Sequence, residues 1–141
     1  MKIVINTCYG GFSLSDEAVI LYAEKKGIEV TSVEGMGMGG SIFFKCKAED
    51  LPQILKKEYL KLSDEERRGP YTEAYSKIGT LSSREVERND PHLIEVVEEL
   101  GAKADGAFAS LKIVEIPDEV KWQVEEYDGA EWIAEEHRTW S

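Results

Sequence analysis

The sequence is poor in the residues from which metal centres, disulfide frameworks and nucleic-acid surfaces are built. It has two cysteines, Cys8 and Cys46, and two histidines, His92 and His137, in 141 residues. Isolated cysteines in a chain of this kind are expected to be free thiols. Neither histidine stands at ligand spacing to them, so no metal is expected. Cations are also scarce: 17 Lys and Arg face 28 Asp and Glu, a formal net charge of −11. Affinity for DNA or RNA comes from many basic contacts to phosphates, and this balance argues against it. A small anion is still allowed, because a few arginines and backbone N–H groups make a locally basic pocket inside an acidic molecule. No apolar run is long enough to span a bilayer. The opening MKIVINTCYGGF lacks the apolar stretch and cleavage site of a signal peptide, so a cytoplasmic location is expected. With no repeat and no long linker, residues 1–141 are expected to form a single ligand-binding domain.

What is present is an ordinary globular composition, 42 % hydrophobic and 32 % charged. Ile3, Val4 and Ile5 predict a buried strand over residues 2–7. A helix should follow, capped by Ser15, led by Asp16 and Glu17 and ended by Gly27. Strands are expected over 28–33 and 41–47, with the Gly35–Gly40 segment between them as a loop or lid. A helix beginning at Glu49 or Asp50 would carry Pro52 in its first turn and Ile54, Leu55, Tyr59 and Leu62 inward; Gly69-Pro70 should break it. Asp90-Pro91 predicts a second clear helix, with Leu93, Ile94, Val96, Val97 and Leu100 at helical period and Gly101 at its end. A short helical piece is expected around 104–109. Leu111–Ile116 and Lys121–Tyr127 read as a hairpin, followed by an Asp128-Gly129 turn and a short helix over 130–136. The fold class expected is α+β: a small mixed or antiparallel sheet packed with two to three main helices, in an oligomer.

Three places have residue types that suit ligand chemistry. The loop Cys8-Tyr9-Gly10-Gly11-Phe12 follows a strand and precedes a helix, where glycines admit a ligand and aromatics stack on a base. It is neither a Walker loop nor a dinucleotide fingerprint. It also reads as a tight turn with core aromatics, and Cys8 as an inert thiol with no partner signature for nucleophilic catalysis. Arg84, Arg88 and Asn89 precede the Asp90 cap, at the positive end of a helix; ordinary ion pairs with Glu85 and Glu87 suit them equally. Arg138 and Trp140 pair a cation with a ring, either for a phosphate and base or as a surface or oligomer contact. The acidic runs offer carboxylates without any metal or acid–base spacing, so no catalytic residue and no cofactor are expected.

The strings Ile5-Asn6-Thr7-Cys8-Tyr9-Gly10-Gly11-Phe12 with Leu14-Ser15, Leu111–Pro117, Glu125–Gly129 and His137-Arg138-Thr139-Trp140 resemble small bacteriophage proteins, the first-described Thoeris anti-defence family. The resemblance spans nearly the whole chain. It implies a homodimer, in some members a larger assembly, that binds cyclic ADP-ribose isomers made by bacterial TIR-domain enzymes and sequesters them uncleaved in the host cytoplasm. Some members also take up cyclic oligonucleotides. On this reading Tyr9 or Phe12 encloses the base and Arg88 or Arg138 neutralises phosphate. The rival expectations are an acidic inhibitor of a host protein and a nucleotide-signal hydrolase.

Overall fold

In the computed structural model, which describes residues 1–34, 41–57 and 59–135, the first strand forms where the β-branched run predicts it. β1 (Lys2–Asn6) buries Ile3, Val4, Ile5 and Asn6. The Gly35–Gly40 loop, Arg138 and Trp140 lie outside the described residues. The chain is mixed α and β with small antiparallel sheets, and it divides into two compact units: residues 1–22 with those from 83 onward, and residues 23–82.

In the first unit β1 pairs antiparallel with β4 (Leu111–Glu115), Lys2 opposite Glu115 and Asn6 opposite Leu111. Helix α1 (Asp16–Lys26) begins here. The Ala18 N–H donates to Ser15 Oγ at 3.2 Å, and the same hydroxyl donates to the Lys103 carbonyl at 2.6 Å, tying the cap to a distant turn. Helix α5 (Pro91–Leu100) is capped by Asp90, whose carboxylate accepts from the His92 N–H at 2.8 Å and from the Tyr22 hydroxyl at 2.7 Å. Pro91 at its first position costs no hydrogen bond, and Gly101 ends it at φ 56°. Its buried face of Leu93, Val96 and Val97 packs toward β1 and β4; burying each such side chain stabilises by about 1.5–3 kcal/mol.

Two expectations for this unit are overturned. Residues 121–127 do not pair with 111–116, and residues 130–136 are not helical: β5 (Trp122–Tyr127) pairs with β6 (Ala130–Glu135). The reason is local. Asp128 and Gly129 lie at φ 51° and 94°, the two left-handed positions of a type I′ turn, which closes a hairpin between the residues on either side. β4 then takes β1, the buried strand in need of a partner. The helical piece expected at 104–109 is a 3₁₀ turn, Gly101–Ala104, followed by an irregular segment.

The second unit holds the end of α1, stopped by Gly27 at φ 71°. It continues with a hairpin of β2 (Thr31–Glu34), shorter and later than the expected 28–33, and β3 (Ser41–Phe44), which starts where expected and ends earlier than 47. The expected helix from residue 49 breaks into a 3₁₀ turn (Ala48–Asp50), the one-turn α2 (Gln53–Lys56) and a second 3₁₀ turn (Tyr59–Lys61). Pro52 keeps Leu51 out of the helical region, at ψ 118°, and so caps α2 instead of entering it. Gly69-Pro70, expected to break the helix, lies in a π turn (Arg67–Tyr71) that joins α3 (Asp64–Glu66) to α4 (Thr72–Ile78). The wider turn takes the proline without the usual clash against the carbonyl four residues back. The core here is Phe44, Leu51, Leu55, Leu62 and Tyr71. Edge-to-face rings join Tyr59 to Tyr71 and Phe44 to Tyr75.

Candidate functional site

The site residues expected from the opening loop and from the helix cap meet in the first unit, around the end of β1. Asn6 is fully buried there. Its Nδ2 donates to the carbonyls of Cys8 (2.7 Å) and Gly129 (2.8 Å). Its Oδ1 accepts from the N–H groups of Cys8 (3.2 Å) and Ser110 (2.8 Å). Its own N–H donates to Glu131 Oε1 at 2.8 Å. One side chain thus joins the loop after β1, the segment before β4 and the β5–β6 turn.

The Glu131 carboxylate, 8 % exposed, also takes a forked contact from Arg88, whose Nη2 donates to Oε2 at 2.8 Å and whose Nη1 donates to Oε1. Arg88 is 22 % exposed, and its guanidinium carbon lies 3.6 Å from the centre of the Phe12 ring. The Arg88 carbonyl accepts from the Val4 N–H at 2.8 Å, holding its backbone along the edge of β1 that faces away from β4. The charge expected to meet a phosphate is therefore already matched by a carboxylate, and Phe12 lies under the guanidinium.

Gly10 and Gly129 serve packing. A methyl group on Gly10 would lie 2.0 Å from the Phe108 carbonyl oxygen, and one on Gly129 would lie 2.5 Å from that of Tyr9. Gly11 supplies a left-handed φ of 90° with open space beside it. Backbone from three segments is therefore in direct contact, and each segment bears an exposed ring: Tyr9 is 69 %, Phe108 79 % and Tyr127 73 % exposed. Phe108 stands at φ 64°, a conformation that costs a bulky residue of order 1–3 kcal/mol. An apolar ring held out in water on a strained backbone gains nothing for the fold. Such rings present flat apolar faces on which a planar base can stack.

Of the other expected residues, Cys8 is a half-buried free thiol whose backbone is held by Asn6. Arg84 is exposed on a 3₁₀ turn, Ser83–Glu85. Asn89 directs its amide to the Met1 sulfur at 3.9 Å. Among the described residues, no group of three or more His, Cys, Asp or Glu is placed to hold a metal ion, and no helix is long and apolar enough to cross a membrane. Sequence reasoning missed Asn6, Phe108, Tyr127 and Glu131. The available signals were a phenylalanine in the small-residue run Gly106-Ala107-Phe108-Ala109-Ser110 and the Asp128-Gly129 turn, which fixes Glu131 on a strand. Compared with protein-family models, curated proteins and solved structures, the chain matches none.

Proposed function

We propose that this protein binds a cyclic nucleotide messenger of the cyclic ADP-ribose type and sequesters it uncleaved. The observation that carries the reading is the set of exposed rings, Tyr9, Phe108 and Tyr127, on adjoining segments fixed from beneath. The likeness of the opening and closing strings to the phage anti-defence family supports it from the sequence side. In this reading the adenine stacks on the rim, a contact worth about 1–3 kcal/mol per base. The pyrophosphate is met by backbone N–H groups and by Arg138, and Arg88 holds the rim together from within. The protein acts as a homodimer or an assembly of dimers in the cytoplasm of an infected cell.

Isothermal titration with a panel of cyclic ADP-ribose isomers and cyclic oligonucleotides tests this, with chromatography of the recovered ligand. Saturable binding and intact ligand are expected, with a five- to 150-fold weaker Kd for Phe108→Ala, the fold-change equivalent of that stacking contribution. Heat without Phe108 dependence discards the site; ligand returned in pieces makes the protein an enzyme. A second reading, inhibition of a host protein, is favoured by the charge of −11 and by Trp132, which is also exposed. In that case no messenger binds and a protein partner co-purifies.

A further inference from the structure

Asn6 uses every hydrogen-bonding capacity of its amide, two donors and two acceptor sites, and all of it is spent on backbone. The recipients are the segments that carry the exposed rings: Cys8 precedes Tyr9, Gly129 closes the turn begun after Tyr127, and Ser110 follows Phe108 at a distance of two residues. The Phe108 ring is the most exposed of the three. Its position is set by its backbone, which rests on Gly10 on one side and is tied through Ser110 on the other. The same holds for Tyr9, between the Cys8 anchor and the Gly129 contact.

We infer that Asn6 is the positioning residue of the ring-bearing rim: it touches no ligand, and it sets the spacing of the three rings by anchoring their three segments to the end of β1. This rests on the proposed binding role only where ligand affinity is concerned; the anchoring itself stands without it. No other natural side chain of this size carries two donors together with an oxygen that accepts twice. Asn6→Asp keeps acceptors for Cys8 N–H and Ser110 N–H but turns a carboxylate oxygen toward the carbonyls of Cys8 and Gly129, which repel it.

The test is hydrogen exchange and ligand titration on Asn6→Asp, with Val96→Ala as a control that loosens the buried face of α5 without touching the rim. Asn6→Ser replaces Asn6→Asp if the latter fails to fold. The expected result has two parts. Exchange quickens at least tenfold over residues 9–12 and 128–130 in the Asn6 variant and not in the control. Affinity for the cyclic ADP-ribose isomer that wild type binds best falls at least tenfold in the Asn6 variant and stays within twofold in the control. Unchanged exchange over both segments overturns the inference, as does faster exchange with wild-type affinity. If wild type binds no messenger, the functional reading fails, and the exchange pattern alone decides whether Asn6 anchors the rim.

Discussion

Replacing Arg88 by methionine should destabilise the protein more than replacing Arg88 and Glu131 together. Removing one member of a buried ion pair costs about 3–5 kcal/mol, because the survivor is left charged and desolvated. Glu131 is 8 % exposed and Arg88 22 %, so Arg88→Met strands the more deeply buried member, and partial solvation puts the cost near the lower end, about 3 kcal/mol. Loss of the guanidinium from the Phe12 ring falls within that figure, at roughly 0.5–2 kcal/mol. For a protein of this length the melting temperature should drop by roughly 10 °C. In Arg88→Met/Glu131→Gln the glutamine oxygen still accepts the Asn6 N–H, and no carboxylate is left without its cation. The double variant should recover at least about 1 kcal/mol over Arg88→Met. Urea unfolding followed by tryptophan emission measures this, since Trp122 and Trp132 both lie on the hairpin that carries Glu131. If the two substitutions add, or if Arg88→Met costs less than about 1 kcal/mol, then the pair is solvated and the account of a matched internal charge is wrong.

Gly10→Ala places a methyl against the Phe108 carbonyl and should cost at least about 2 kcal/mol and weaken ligand binding; Gly69→Ala, with open space around it and no left-handed φ, should be neutral or slightly stabilising in the same urea assay. Burial, and then Asp50, push the Cys46 thiol up; burial, and then Tyr75 and Tyr59, push the Tyr71 phenol up. The unfolded chain therefore gives up these protons first. Stability from both groups is complete below their unfolded values and is lost as pH rises through the folded ones. Chemical denaturation from pH 8 to 11 should show a midpoint that falls with pH, and iodoacetamide should label Cys46 in a Cys8→Ser variant at pH 8 more slowly than in the unfolded chain. A midpoint that rises over this range contradicts both shifts.

Elements whose signals are local and redundant were legible in the sequence. α1 and α5 each have a capping side chain, an apolar period and a terminal glycine in the left-handed region, and the structure keeps all of them. β1 was legible because three β-branched residues in a row have no good place but a buried strand. The pairing of β4 was not, because neither strand's pattern names its partner, and the partner here is more than a hundred residues away. β6 failed for another reason: Glu131-Trp132-Ile133-Ala134 suits a helix as well as a strand, and the two-residue turn before it decides. At the candidate site, residue type alone singles out the loop 8–12 and Arg88, and the structure brings Phe12 and Arg88 together. What Arg88 faces was hidden, since one carboxylate among 28 Asp and Glu carries no mark that it turns inward. Phe108 was hidden likewise: a phenylalanine reads as core until its exposure is known.

The division of the chain bears on how it is made. The unit of residues 23–82 is continuous in sequence, so all of it has left the ribosome before β4 is made. β1 leaves first and must wait for β4 and for Glu131, and at about 5–20 residues per second the wait is several seconds or more. During that interval three β-branched residues and the unpaired backbone of β1 are open to solvent and to other strands. A co-translational chaperone, or faster synthesis between residues 7 and 131, would therefore raise yield by shortening or shielding that interval.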